Sequence, residues 1–370
     1  MQTGLIIFAG PGSSDPAERL VEDARSAALF DLLDTVREAD CFSPVVVVTD
    51  LPDVRGRLPS WVVTEPAGPD FHFGRRLREV VHAYEMDAVA VASAGCAPLF
   101  QAADLLALAR EGSVPGTVVS NNMFSADILA FCPASALDRV PLPARDNHLA
   151  SSLRLDGGLV GKELPRTAAT QLDIDTPTEL LILAVHPATP PHLRAYLEGL
   201  DLDISPVRRL GRVLTDPLRQ LVVAGRVGSH AWSYLERQTA CRVRLFSEER
   251  GMEADGRADR GEARSLLGYY AQEMGMHRLF EALADLGDGV ILDSRVLLAH
   301  VNRVPSRADR FLSDMGRWAD VQDPFLRELT YEAVHARVPV LMGGHSLVSG
   351  GLMALTEAAW LIADKEKAAS

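Results

Sequence analysis

The sequence predicts an α/β protein: a mixed, mostly parallel sheet flanked by helices, followed by a second, smaller α/β domain. Three observations predict it. Short apolar runs of strand length alternate with longer helical stretches along most of the chain, the pattern that parallel sheets produce. Glycine, proline and small polar residues gather where those runs end, as in LIIFAGPGSS at 5–14. A stretch holding Pro187, Pro190, Pro191, Pro206 and Pro217 divides the chain, which gives expected domains of 1–186 and 218–370 around a linker at 187–217.

Taken in order, the first apolar run ends in Ala9, Gly10, Pro11, Gly12, Ser13 and Ser14, a glycine-rich loop whose backbone N–H groups can approach an anion closely. Helical spacing follows over 24–39, then PVVVV at 44–48 reads as a buried parallel strand. In open parallel sheets ligands sit on the loops where strands end. The run AVAVASAGCAPLF at 88–100 leads a strand into a small-residue turn with Gly95 and Cys96. In VVSNNMFSADILAF at 118–131, Val118 and Val119 are strand-like, and Asp127 opens another apolar run. Asn121 and Asn122, in the polar loop between, can read a base or sugar edge through side-chain hydrogen bonds, or serve as a turn device. The same two readings apply to Arg145, Asp146, Asn147 and His148. Lys162 is one of three lysines, with Lys365 and Lys367; a solvated loop is the expectation for it and a phosphate contact the alternative.

The segment LPRTAATQLDIDTPTELLIL at 164–183 sets Asp173 and Asp175 just before a strongly signalled helix start. Residues i and i+2 of an extended segment share a face, so the two carboxylates can converge, as a hard cation such as Mg²⁺ requires. Thr176, Pro177 and Glu179 read as N-cap, first helical residue and N3 of a capping box. The plainer alternative is that both aspartates decorate a helix entrance, where negative charge is favoured.

The glycine-rich loop after strand one, the turn before Pro98 and Leu99, and the closing DIDTPTEL together resemble the MobA-like nucleotidyltransferases of GT-A-type, Rossmann-like fold, over the first half to about Val185. The resemblance implies a nucleoside triphosphate cradled by the first loop (Ala9, Gly10, Gly12, Ser13, Ser14); Arg25, which is off the family's customary spacing, and Gly95, Cys96, Asn121 and Asn122 are further nucleotide-binding candidates. The resemblance further implies Mg²⁺ as cofactor held by Asp173 and Asp175, and in-line attack of an acceptor on the α-phosphorus with loss of pyrophosphate. The family pattern has a glycine where Pro11 stands, an Arg and a Lys on the phosphates where only Arg19 and Arg25 are near, and a metal-holding Asp in a Gly-Asp-x-Pro turn that here reads Ala94, Gly95, Cys96, Ala97, Pro98. Asp127 is the expected substitute for that aspartate.

A formal charge of −13 and a pI near 5.3 exclude the basic footprint that nucleic-acid backbones need. The first residues lack a cationic signal-peptide start, and no run approaches the ~20 apolar residues of a membrane span. Cytoplasmic residence, no membrane, and a possible homo-oligomer are the expectations. Cys41, Cys96, Cys132 and Cys241 have no zinc spacing and read as reduced thiols.

In the second half, strands are expected at 221–224, 242–246, 290–292 and 338–342, separated by helices at 231–238, 262–286 and 324–336, which favours a parallel or mostly parallel sheet. Polar clusters follow each strand: Arg226 after the first, Glu248 and Glu249 after the second, Asp293, Arg295 and His300 after the third, and Gly344, His345 and Ser346 after the last. That repeated placement suggests a second ligand site, with the glycine-rich stretch 343–351 able to nest an anion at a helix start or to serve as a plain connection. His300 and His345 together are a candidate metal or acid–base pair. Arg307, Asp309, Arg310 and Asp314 are expected to pair along a solvated helix face, binding of an anionic substrate being the alternative.

The expected function is Mg²⁺-dependent transfer of a nucleotidyl group from a nucleoside triphosphate to a phosphorylated or carboxylated small molecule. Two alternatives stand beside it: a DxD sugar-nucleotide glycosyltransferase, and a degenerate domain that binds a nucleotide or partner without chemistry.

Overall fold

The period-two alternation of branched apolar residues builds the first sheet. In the strand Thr3–Phe8 (β1), Leu5 and Ile7 point to one face and Ile6 to the other; in Phe42–Val48 (β2), Val45 and Val47 oppose Val46 and Val48 in the same way. Val63–Glu65 (β3), Ala88–Ser93 (β4), Thr117–Ser120 (β5), Ile128–Cys132 (β6) and Val160–Glu163 (β7) complete seven strands in the order β3-β2-β1-β4-β6-β5-β7. All run parallel except β6, which is antiparallel to both its neighbours. Both faces are covered, which is why the strands are apolar on both sides. One face packs Leu29, Leu33 and Val36 of the helix Pro16–Ala39 with Leu105 and Leu108 of Ala102–Gly112, and the other packs Leu77, Val80 and Val81 of Phe73–Ala83 with Leu149 and Leu153 of Leu149–Leu155. The expected helix at 24–39 thus starts earlier, at Pro16.

A second sheet holds four strands, Gln220–Gly225 (β8), Arg242–Ser247 (β9), Gly289–Asp293 (β10) and Val340–Gly343 (β11), all parallel in the order β11-β10-β8-β9. Val222, Ala224, Val290 and Leu292 face a core with the helices Leu266–Met274, Met276–Leu286 and Pro324–Val334. The single helix expected at 262–286 is therefore two, broken at Gly275 with φ +86°, a conformation that favours glycine. On the other face, the helix Ser205–Leu214 lies over β10, where a Cβ on Gly289 would meet Leu210 Cδ2 at 2.6 Å.

This is a computed structural model, and it describes residues 3–10 and 12–369; the expectation for Pro11 lies outside them. The chain forms two units. The first comprises residues 3–10 and 12–13, Glu22–Asp173 and Pro190–Leu193, and the second Ser14–Val21, Ile174–Thr189 and residues 194–369. The stretch expected as a linker holds two helices, Pro191–Glu198 and Ser205–Leu214. The capping-box helix Pro177–Val185 belongs to the second unit, where Thr178 Oγ1 donates to the Met342 carbonyl at 2.7 Å. One helical run, Leu347–Ala368, is long and apolar enough to cross a membrane by length and composition, contrary to the expectation that none is; most of its apolar part is buried within the fold.

Candidate functional site

In the first sheet the connection changes direction between β1 and β4: β2 and β3 lie on one side of β1, and β4 and the remaining strands on the other. The crevice beyond the carboxyl ends of such strands is where ligands bind in open α/β sheets. Two loops meet there. The first follows β1, anchored by the Ala9 amide on the Val48 carbonyl at 3.0 Å. Gly10 opens on empty space, a Cβ there meeting no atom within 4 Å, while Gly12 lies against Leu51. The Ser13 amide donates to the carboxylate of Glu22.

The second loop follows β4. Its backbone is held by the Ala94 amide on the Phe8 carbonyl at 2.9 Å and by Ala97, which takes φ +47° and donates to the Leu172 carbonyl at 3.2 Å. Arg25 crosses Gly95 so closely that a Cβ would stand 2.6 Å from its Cγ. Cys96 pairs with Asp173 in an isolated antiparallel bridge, and the Asp127 carbonyl accepts from the Ser93 amide at 3.2 Å. Asp127 and Asp173 thus flank the turn that lacks its own carboxylate. Burial first, then the charges of Asp173 and Asp127, push the Cys96 thiol well above its ordinary range. It therefore stays protonated and is no nucleophile.

Asn121 is fixed rather than open for readout. Its Oδ1 accepts from the Asp127 and Ile128 amides at 3.1 and 3.4 Å, and its Nδ2 donates to Asp127 Oδ2 at 3.1 Å. Asn122 makes a local turn, its Oδ1 accepting from the Phe124 amide at 3.2 Å. Lys162 sits on the edge strand β7 rather than in a loop, paired with Glu111 at 3.0 Å. Asp173 belongs to the first unit and Asp175 to the second, where Asp175 is exposed. Ser14 likewise belongs to the second unit.

In the second unit the capping box forms as expected. The Thr176 hydroxyl accepts from the Thr178 amide at 3.3 Å, and Glu179 Oε2 takes the Thr176 amide at 2.7 Å and hydroxyl at 2.8 Å. Glu179 is fully buried, and among the described residues its Oε1 has no hydrogen-bond partner. Burial, then the nearby charge of Asp175, pushes its carboxyl up to about 8, which favours the protonated form near neutral pH.

The direction change of the second sheet falls between β8 and β10. There Arg226 grips the fully buried Asp293 through Nε at 2.6 Å and Nη2 at 3.1 Å. Gly225, with φ +123°, lets the strands approach; a Cβ would meet Asp293 Cβ at 2.3 Å. Asp293 also caps the next helix by accepting from the Arg295 amide at 3.2 Å. Arg295 makes a second fork to the buried Asp314, at 2.7 and 2.6 Å. This corrects the expectation of a solvated helix face at 307–314. Asp314 pairs with Arg295, not with a helix neighbour, and the buried Asp309 accepts the Gln322 and Asp323 amides at 2.8 and 2.9 Å.

His300 is no partner for His345. Its Nδ1 accepts from the Ser265 amide at 3.1 Å, its Nε2 meets Gln272 Oε1 at 3.0 Å, and Tyr269 packs edge-on at 4.6 Å, so both ring nitrogens are used inside the fold. His345 is exposed and belongs to the loop with Gly344 and Ser346 after β11; a Cβ on Gly344 would lie 3.9 Å from Arg295 Nε. The sequence reading missed Glu22, whose only signal is an acid nearly two turns into the helix after the loop. It also missed the Arg226–Asp293 and Arg295–Asp314 forks, which join residues 67 and 19 positions apart and leave no local signature.

No protein-family model matches the chain, and no curated protein matches it. Among solved structures it is similar to a cytidylyltransferase from Leptospira borgpetersenii serovar Hardjo-bovis, at a TM-score of 0.39 and 17% identity over 54% of this chain and 93% of that one. A CMP:2-keto-3-deoxy-manno-octonic acid synthetase complexed with CTP gives 0.34 and 18% over 48% and 94%. The bifunctional IspDF from Campylobacter jejuni gives 0.33 and 12% over 46% and 51%. Similarities of this size assign no function.

Proposed function

We propose that the first unit binds a nucleoside triphosphate and transfers its nucleotidyl group to a phosphorylated or carboxylated small molecule. The observation that carries this reading is the meeting, at the β1/β4 crevice, of an open glycine loop, a cation laid across Gly95, and two carboxylates flanking the adjoining turn. The backbone at Gly10 offers N–H groups to phosphate oxygens, and Arg25 adds positive charge on the same side. Among the described residues no three His, Cys, Asp or Glu side chains gather as a metal site. Asp127 and Asp173 nevertheless fit Mg²⁺, which commonly takes one or two carboxylates and completes its shell with water and substrate phosphates. When bound, the ion would neutralise phosphate charge.

In the transfer, an acceptor oxygen forms a bond to the α-phosphorus while the bond to the bridging oxygen breaks, and pyrophosphate leaves with that electron pair. The protein's part is positioning and charge compensation, since it supplies no covalent partner. Asn121, locked by Asp127, holds that carboxylate's orientation. One observation favours the alternative of binding without chemistry: the turn after β4, Ala94 to Pro98, holds no carboxylate of its own. Pyrophosphate release separates the two. Incubating the protein with each nucleoside triphosphate, Mg²⁺ and a panel of sugar phosphates and sugar acids should release pyrophosphate only when an acceptor is present; binding with no release under any combination leaves the non-catalytic reading, and hydrolysis of a sugar nucleotide points to the glycosyltransferase.

A further inference from the structure

The helix Arg307–Asp314 forms one wall of a cavity of about 550 Å³ in the second unit, within the ~300–1,000 Å³ that small-molecule sites occupy. Four arginines line it, and three already hold a carboxylate: Arg260 holds Glu262 at 2.8 Å, Arg295 holds Asp314 at 2.6 Å, and Arg303 holds Asp323 at 2.9 Å. Arg310 differs. Among the described residues it makes no ion pair, and its Nε is buried without a hydrogen-bond partner. The acid one turn along its own helix, Asp314, is consumed by Arg295. Burial first, then the like charges of Arg295 and Arg307, push the Arg310 guanidinium below its ordinary value, against the opposing pull of Asp314 and Glu253.

Half-buried charges in folded proteins are normally paired, because leaving one uncompensated is costly. Asp314 and Glu253 lie near enough to offset part of its charge, but among the described residues neither forms an ion pair with Arg310, and its guanidinium lines a cavity of ligand size. We infer that this cavity binds a small organic anion, its phosphoryl or carboxylate end held by Arg310. The remaining wall describes the rest of the ligand. Leu298, Val304 and Pro305 give it an apolar side, while Glu253 and Asp259 offer acceptors. A ligand with one anionic end and hydroxyl groups matches both, whereas a polyanion meets those two acids unfavourably. Arg295 and its buried Asp314 brace the floor, a rigid fork that carries no spare charge. The inference uses the second unit alone and is independent of the nucleotide reading.

The test titrates the full chain with inorganic phosphate, glycerol 3-phosphate and lactate at constant ionic strength, by calorimetry and by thermal melting. At least one of the two organic anions binds saturably and raises the melting temperature, and Arg310→Met weakens that binding at least tenfold. Without ligand, Arg310→Met melts at the same temperature as the parent or higher, because it removes a half-buried charge that has no ion pair and whose Nε has no hydrogen-bond partner. Absence of saturable binding by both organic anions, with or without binding of inorganic phosphate, undiminished binding by Arg310→Met, or a loss of several degrees in its unliganded melting temperature would each overturn the assignment, the last by showing that Arg310 is a structural residue.

Discussion

Asp173, Asp293 and Glu179 are three buried or half-buried carboxylates with three different roles, and each role yields its own prediction. Asp173→Asn removes one of the two charges that flank Cys96 but keeps the backbone bridge, so it should cut Mg²⁺-dependent triphosphate binding at least tenfold in calorimetry while moving the melting temperature little. Asp293→Ala instead strands Arg226 in the interior; removing one partner of such a pair costs roughly 3–5 kcal/mol, and chemical denaturation should show a loss of that order. Glu179 acts through pH. Its carboxyl is raised from 4.5 to about 8, so the folded state holds a proton that the unfolded chain has released, and this group lowers stability as pH rises from about 4.5 to about 8. The buried His186, lowered from 6.5 to about 4, works at the other end: its contribution is present above pH 6.5 and is lost as pH falls through about 4. Glu179→Gln should therefore gain stability at pH 9 relative to the parent by a few kcal/mol, each tenfold in proton affinity being about 1.4 kcal/mol, and lose that advantage at pH 4; equal gains at both pH values would contradict a raised carboxyl. These residues were partly legible. Thr176, Pro177 and Glu179 announced their cap because a capping box is written in four consecutive residues, but the burial that favours a protonated Glu179 depends on residues more than a hundred positions away.

At the level of elements, local sequence was most reliable where packing and propensity agree. Val45 to Val48 alternate between two cores, and a run apolar on both faces could only be a covered parallel strand. The helix expected at 262–286 failed at one residue, Gly275, because apolar periodicity continues across a break that only a positive φ reveals. The helix 307–314 misled for a different reason: its charges have the spacing of intrahelical pairs, yet tertiary partners took Asp309 and Asp314. The glycines after β1 mark that loop as a candidate anion cradle, but nothing local marks the carboxylate that already holds one of its amides. Glu22→Gln replaces that charged acceptor with a neutral one and should strengthen triphosphate binding severalfold; unchanged affinity in the same titration would show that the Ser13 amide takes no part.

Across the whole molecule, each of the two sheets reverses its connection at its own central strand pair, β1/β4 in the first and β8/β10 in the second, and each reversal gathers charged residues at the carboxyl ends. That arrangement was readable in outline, because polar clusters recur after every apolar run. The partition of the chain was harder to read. Prolines mark 187–217 as punctuation, yet the helix Pro177–Val185 packs with the second sheet and Pro190–Leu193 with the first, held by Asp31, which accepts from the His192 and Leu193 amides at 2.9 and 2.8 Å. Such exchanges are made by contacts distant in sequence, which composition does not record. The central claim is that the β1/β4 crevice of the first unit is a nucleoside triphosphate site. Isothermal calorimetry against GTP, CTP, ATP, UTP and one sugar nucleotide, with and without Mg²⁺, tests it most directly. A triphosphate site there gives saturable, base-selective, Mg²⁺-dependent binding of one triphosphate that Asp173→Asn diminishes; no binding of any triphosphate, or binding indifferent to both Mg²⁺ and Asp173, would rule the site out.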